Sequence, residues 1–342
     1  MGDLAAQLRE LDLSGIAVIT GAGGVEFEEC FGLADRAAGI PITPATRFGL
    51  ASVTKMFTAV TVATLGVDFA APVVSLLPPE RRPSTLHPDV TVHHLLSHTS
   101  QLADYAEEEG PDPVEYDTLW TDRPCYRFEH PADFLPLFAG RPPYGPPGGE
   151  FHYSNAGYVL LGLIVEEVSG LSFVDAVRRR VFEPAGMAAS GFFRLDEPVP
   201  DLAVGYLPSG RSNVYSIPVI GGADGGAQCT AADLDRFLRA CDDGSLLGDR
   251  RDVMLTPHVP VEPEMDYGYG CFLYGDGRFG HGGGDPGVST LVQRIPSADA
   301  TVVVLLNIEG PAVTARLDGP KRAALAAAGL VPASEWWVGE LG

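Results

Sequence analysis

Lysine is nearly missing from this chain: of 23 basic residues only Lys55 and Lys321 are lysines, and the rest are arginines. An arginine keeps its proton in a protein, whereas a desolvated lysine can give it up and act as a general base. Positive charge as a whole is scarce, with 23 basic against 45 acidic residues and a formal net charge of −22. Such a surface repels phosphate backbones and anionic lipid, so nucleic acid and membrane surfaces are not expected partners. No apolar run approaches the ~18–20 residues that span a bilayer. The longest candidate, 301–308, is the length of a strand. The first thirteen residues alternate charge with leucine and lack a basic start followed by an apolar stretch, which predicts an amphipathic helix and no secretory signal. Cysteine is limited to Cys30, Cys125, Cys229, Cys241 and Cys271, odd in number and without a CxxC pair. That is the pattern of reduced thiols in a cytoplasmic protein.

What is present is enough for a large core. The chain has 342 residues, 45% of them hydrophobic and 20% charged, as expected of a soluble globular protein with one large core or two packed domains. Residues 15–20 and 25–31 read as two strands joined by the turn Gly21-Ala22-Gly23-Gly24. That tetrad is not a phosphate loop, because no helix follows it. Helices are expected from about Ser52 to Leu65, over 91–100, 156–168 and 173–182, from Thr230 onward, and over 313–328. Strands are expected over 267–274, 289–295 and 301–308, with the glycine-dense stretch Phe279 to Gly287 lying between two of them. Strands thus dominate the chain ends and helices its middle.

The stretch Arg47-Phe48-Gly49-Leu50-Ala51-Ser52-Val53-Thr54-Lys55 places a hydroxyl and one of the two lysines three residues apart at a helix start. On a helix, positions i and i+3 share a face with Cβ atoms ~5–6 Å apart, so the Lys55 amine can reach the Ser52 oxygen. The unpaired N–H groups and positive dipole end of the helix favour an ionised serine as well. A helix that is apolar nearly all round is buried and holds its first turn rigidly. Elsewhere, His94 and His98 share a helical spacing that could ligate metal, but no HExxH pattern or third ligand accompanies them, and structural hydrogen bonding is the favoured reading. The region 104–150 carries the charge run Glu107-Glu108-Glu109 and the aromatics Trp120, Tyr126, Phe128, Phe134, Phe138 and Tyr144 among prolines and arginines. It reads equally as a substrate-cleft wall or as a mini-core.

Three signatures stand in order: Ser52-Val53-Thr54-Lys55, then Tyr153-Ser154-Asn155, then His281-Gly282-Gly283. Together they resemble the serine β-lactamase and penicillin-binding-protein superfamily, in the branch of class C β-lactamases, DD-carboxypeptidases, D-aminopeptidases and related esterases. The motifs of that branch are Ser-x-x-Lys, Tyr-x-Asn and Lys/His-x-Gly. The flanks Leu95 to Ser100, Asn155 to Tyr158, Glu183 to Met187 and Gly280 to Gly284 look similar too. Departures occur at Gln101, where the family usually has glycine, and at 65–72, which looks shortened.

The resemblance implies an α+β fold in which an antiparallel sheet, made from both chain ends, is flanked by helices. An inserted, mainly helical domain completes it. The expected division is 1–75 with 225–342 for the sheet domain and 76–224 for the helical one, with the active site between them. It further implies Ser52 as acylated nucleophile, Lys55 as its proton acceptor and Tyr153 as a second acid/base group. Asn155, His281 and Gly283 would orient substrate, and the N–H groups of Ser52 and Gly284 would form the oxyanion hole. No cofactor and no metal is implied. The expected function is hydrolysis of a small ester or amide through an acyl-enzyme. The alternatives are acyl transfer, a peptidase or β-lactamase using the same acyl-enzyme, or a silent binding protein on the same scaffold. Lys55 is expected to be buried and neutral at working pH, since a charged amine could not accept the Ser52 proton.

Overall fold

The computed structural model describes residues 13–107 and 116–308. The helices expected at the extreme N-terminus and over 313–328, and two of the three glutamates at 107–109, lie outside the described residues.

Two strands from the N-terminal end and six from the C-terminal part build one antiparallel sheet. The first two are β1 (Gly15–Gly21) and β2 (Gly24–Phe31). Two short pairs follow, β3 (Leu33–Asp35) with β4 (Ile40–Pro41), and β5 (Phe48–Gly49) with β6 (Gln228–Cys229). The remaining strands are β7 (Val259–Glu262), β8 (Met265–Tyr267), β9 (Phe272–Tyr274), β10 (Phe279–Asp285), β11 (Val288–Ile295) and β12 (Ala300–Leu306). The sheet order is β2-β1-β12-β11-β10-β9-β8-β7. β1 thus inserts beside β12, with Gly15 opposite Leu306 and Thr20 opposite Thr301.

This placement explains the apolar runs. On β1, Ile16 and Val18 face the main core while Ala17 and Ile19 face a second cluster. On β12, Val303 and Leu305 face the main core and Val302, Val304 and Leu306 the other. Strands covered on both faces read as continuous hydrophobic stretches and not as alternating ones. The β1–β2 turn ends at Gly24, whose φ of 108° favours glycine.

One expectation is corrected. Residues 267–274 form no single strand: β8 and β9 are separate, and the chain turns between them at Gly270, with φ 78°. A side chain on Gly270 would also lie 2.5 Å from Ala59 Cβ. The glycine-dense stretch lies between β9 and β11, as expected, and residues 279–285 themselves form a strand, β10. It pairs His281 with Val292 and Gly283 with Thr290. Main-chain bonding makes this ladder, so glycine's poor strand propensity is overridden by its neighbours.

The helices follow their caps. α1 (Thr54–Thr64) is buried at ten positions in a row, Thr54 to Ala63. α2 (Val92–Leu96) starts at Thr91, whose hydroxyl accepts from the His94 N–H. α3 (Pro131–Phe138) leads to α4 (Asn155–Ser169), where Ser154 Oγ accepts the Gly157 N–H and Gly170, left-handed at φ 67°, ends the helix. α5 (Phe173–Val177) continues as a wider turn to Phe182, and α6 (Ala231–Asp242) is capped by Thr230. Phe57 of α1 meets Phe182 and Phe237 edge-on, at 5.2 and 4.7 Å between ring centroids. Aromatic pairs favour that geometry, and it locks α1 between layers. Among the described residues no single helix is long and apolar enough to cross a membrane.

Candidate active site

Ser52 sits in a short turn, Ala51–Val53, that runs directly into α1. The turn is fixed from three sides. The Leu50 N–H donates to Ala227 O at 2.8 Å. Thr290 Oγ1 of β11 donates to Leu50 O at 3.0 Å. Gly283 of β10 presses so close that a Cβ on it would stand 2.4 Å from Leu50 O and 3.0 Å from Ser52 N. Ala51 adopts φ 46°, a left-handed conformation that is costly for a residue with a Cβ. Strain of this kind persists where surrounding contacts over-determine it.

One turn along α1, Lys55 is fully buried. Its Nζ lies 3.0 Å from Ser52 Oγ, 2.7 Å from Asn155 Oδ1 and 2.7 Å from Asp224 O. The ring faces of Tyr153 and Tyr158 stand 4.7 and 5.6 Å from it. Asn155 is the first residue of α4, and its N–H and Nδ2 both donate to Asp104 Oδ2, at 2.8 and 3.1 Å. Tyr153 is half-buried and stacks on His98, with centroids 4.4 Å apart.

Behind Tyr153 runs a buried chain of rings. Ser154 N–H donates to His98 Nδ1 at 3.0 Å, which leaves the proton of that imidazole on Nε2, 3.2 Å from the Tyr267 hydroxyl. His281 Nδ1 donates to Gly282 O, so its Nε2 must accept, and Tyr267 Oη lies 3.1 Å from it. One protonation pattern satisfies every member: His98 donates to Tyr267, Tyr267 donates to His281, and both imidazoles are neutral. Burial holds His98 well below the usual histidine range and pushes His281 down to about 3. It also raises the Tyr267 hydroxyl. His281 is 2% exposed with both ring nitrogens engaged.

A cavity of about 550 Å³ opens beside Ser52 and Asn155, with Tyr105, Glu107, Gly284 and Asp285 in its wall. Of the aromatics weighed for this wall, Trp120, Tyr126 and Tyr144 do not line it. Trp120 packs edge-on against Tyr116 and Phe128, at 5.5 and 5.1 Å, and its indole N–H donates to Ser216 O. Tyr126 is half exposed. Tyr144 donates to Glu107 and leans on His152. Phe134, also weighed for the wall, does line it, together with Tyr105 and Tyr116. The region is therefore a mini-core whose inner rings face the cavity.

Two further sequence features find their places. His94 Nδ1 accepts the Thr91 N–H at 3.1 Å and closes a capping box. Gln101 adopts φ 58°, the left-handed region where glycine is favoured, and its side chain donates to Glu150 O at 2.8 Å. Sequence reading missed Asp104, Tyr105, Asp224 and Tyr267. Each is brought to the site by tertiary folding, and no local spacing marked them.

The chain was compared with known proteins. The family described as Beta-lactamase matches residues 3–327. Esterase EstB of Burkholderia gladioli is 39% identical over 194 residues, covering 54% of this chain and 48% of that protein. Among solved structures, the penicillin binding protein from Bacillus halodurans superposes with TM-score 0.87 at 38% identity, covering 95% of this chain and 99% of that one. The D-stereospecific amidohydrolase from Streptomyces sp. gives TM-score 0.74 at 26% identity, covering 90% and 94%. With its serine–lysine pair, its eight-stranded antiparallel sheet and a match over nearly its whole length, the chain belongs to the beta-lactamase family.

Proposed function

We propose that the protein is a serine hydrolase that cleaves a small ester or amide through an acyl-enzyme on Ser52. The observation that carries this is the 3.0 Å contact between Ser52, partly exposed at the cavity wall, and the fully buried Lys55. Asn155 Oδ1 and Asp224 O can only accept, whereas the Ser52 hydroxyl can donate. A neutral amine has two N–H donors and one lone pair. Those donors can serve Asn155 Oδ1 and Asp224 O while the lone pair faces the Ser52 proton.

In this reading Ser52 Oγ attacks the carbonyl carbon while Lys55 takes the hydroxyl proton. The carbonyl oxygen becomes an oxyanion held by the N–H groups of Ser52 and Gly284. Such donors act where charge develops, and loss of one costs ~3–4 kcal/mol of barrier in a studied serine hydrolase. Tyr153 relays the proton to the leaving group as the tetrahedral intermediate collapses. Water then attacks the acyl-enzyme by the reverse proton path and frees Ser52. Asn155 orients Lys55 and the substrate. His281 shapes the β10 edge from behind, and Gly283 lets that edge approach Ser52.

The site draws Ser52 and Gly283 from the sheet part (1–75 with 225–342) and Tyr153 and Asn155 from the helical part (76–224), which supports the proposed division with catalysis between them. The esterase and amidohydrolase relatives support ester or amide substrates. Five free cysteines support a reducing, cytoplasmic setting. A second reading is acylation by a β-lactam or a D-peptide, favoured by the 38% identity to a penicillin binding protein.

A fluorophosphonate followed by intact mass is the test. A single covalent adduct on the folded wild type and none on Ser52→Ala is expected. An unmodified, folded wild type would remove the mechanism. Running the same assay with a penicillin distinguishes the second reading by a stable acyl adduct.

A further inference from the structure

Asn155 Oδ1 and Asp224 O, two fixed acceptors of Lys55, lie on separate segments, yet one dipeptide holds both. Asp104 and Tyr105 are each 1% exposed and follow the α2 turn. Asp104 Oδ2 accepts from the Asn155 N–H at 2.8 Å and from Nδ2 at 3.1 Å. Its Oδ1 accepts from the Ala156 N–H at 2.9 Å and the Tyr105 N–H at 2.7 Å. The carboxylate therefore sits on the first turn of α4, where the helix dipole favours negative charge. It also fixes the Asn155 amide: with Nδ2 turned to Asp104, Oδ1 faces Lys55 Nζ at 2.7 Å. Without an acceptor there, the planar amide could rotate at little steric cost and present N–H groups to the amine.

Tyr105 acts on the other acceptor. Its hydroxyl donates to Asp224 Oδ2, while the main-chain carbonyl of Asp224 accepts from Lys55 Nζ at 2.7 Å. Asp224 lies in the loop Gly221-Gly222-Ala223-Asp224-Gly225-Gly226, where four glycines leave the backbone free to move. Within it the Gly222 N–H donates to Gly225 O at 2.7 Å, and Gly226 is left-handed at φ 90°. The tie to Tyr105 anchors that loop to the mini-core, where the Tyr105 ring packs against Phe134 and Phe138.

We propose that Asp104 and Tyr105 are positioning residues that set the two acceptors of Lys55 and thereby hold its lone pair on Ser52. The inference rests on the acyl-enzyme reading above. It predicts that these side chains control the chemical step and not substrate affinity.

The test is a double-mutant cycle on the full chain with p-nitrophenyl butyrate as probe. Asp104→Asn is expected to lower kcat about tenfold to a hundredfold with KM within about threefold, because a misplaced reacting group is paid for in the chemical step. In an Asn155→Ala background the same substitution is expected to cost less kcat, since the part of its effect that passes through the Asn155 amide is already lost. Equal fold-losses in both backgrounds, or an unchanged kcat in folded Asp104→Asn, would overturn the proposal for Asp104. Tyr105→Phe removes one hydroxyl and keeps the buried ring. It is expected to lower kcat at constant KM and to slow fluorophosphonate labelling of Ser52 by the same factor. Should Asp104→Asn not fold, this variant decides: wild-type kcat and labelling rate in folded Tyr105→Phe sinks the proposal. Ser52→Ala separates the two levels. Full turnover by Ser52→Ala removes the acyl-enzyme reading itself, whereas an inactive Ser52→Ala beside a fully active Asp104→Asn removes the positioning role alone.

Discussion

Lys55 Nζ meets Ser52 Oγ, Asn155 Oδ1 and Asp224 O, with the ring faces of Tyr153 and Tyr158 beside it. The serine and lysine were legible because helical spacing alone brings them together. Asp104 was not, since it lies 51 residues from Asn155, and Tyr105 lies 119 from Asp224. Separation of that size leaves no periodic trace. The buried imidazoles give a prediction at the same scale. Burial pushes the His281 imidazole down to about 3 from the ordinary 6.5 of the unfolded chain, and holds His98 down in the same direction. Between those limits the unfolded chain binds more protons, so stability rises with pH and is lost as pH falls from about 6.5 toward 3. Urea midpoints across that window are expected to fall with acidification, and the slope should flatten in His281→Asn. An identical slope in that variant would show that other groups set it.

Among the elements, Gly170 after α4 and Thr230 before α6 are end signals in the sequence, whereas the cap at the start of α4 is Ser154, with Asn155 the first residue of the helix. β10 has no such local mark, because Gly282, Gly283 and Gly284 carry no side chain to alternate, and only the family resemblance points to a strand at His281. Its strand character comes from β11, which supplies partners from Val288 to Arg294. Two adjacent glycines of β10 nonetheless differ. A Cβ at 283 would collide with Leu50 O, and a Cβ at 284 meets nothing within 4 Å. Gly283→Ala is expected to push β10 from the Ser52 turn, lowering both the melting temperature and kcat. Gly284→Ala is expected to keep the wild-type melting temperature, since it only adds a methyl group at the cavity wall. Equal melting temperatures for the two variants would contradict the packing described between β10 and the Ser52 turn.

At the scale of the whole molecule, the sheet closes by setting an N-terminal hairpin against the last described strand, a pairing that spans nearly 300 residues of sequence. Strand-rich ends and a helix-rich middle announced that closure, while the strand order had to come from tertiary structure. The closure brings β10 to the start of α1 and leaves the N-terminus of α4 facing the same cavity, so three distant segments meet at one hydroxyl. Whether that hydroxyl becomes acylated is the most direct question to ask of the fold. Brief incubation with p-nitrophenyl butyrate, acid quench and peptide mass mapping answers it. A butyryl group on the peptide containing Ser52, reduced by Lys55→Ala and absent from Ser52→Ala, is the expected result. Consumption of the ester with Ser52 unmodified at every time point, and equal turnover by Ser52→Ala, would contradict it.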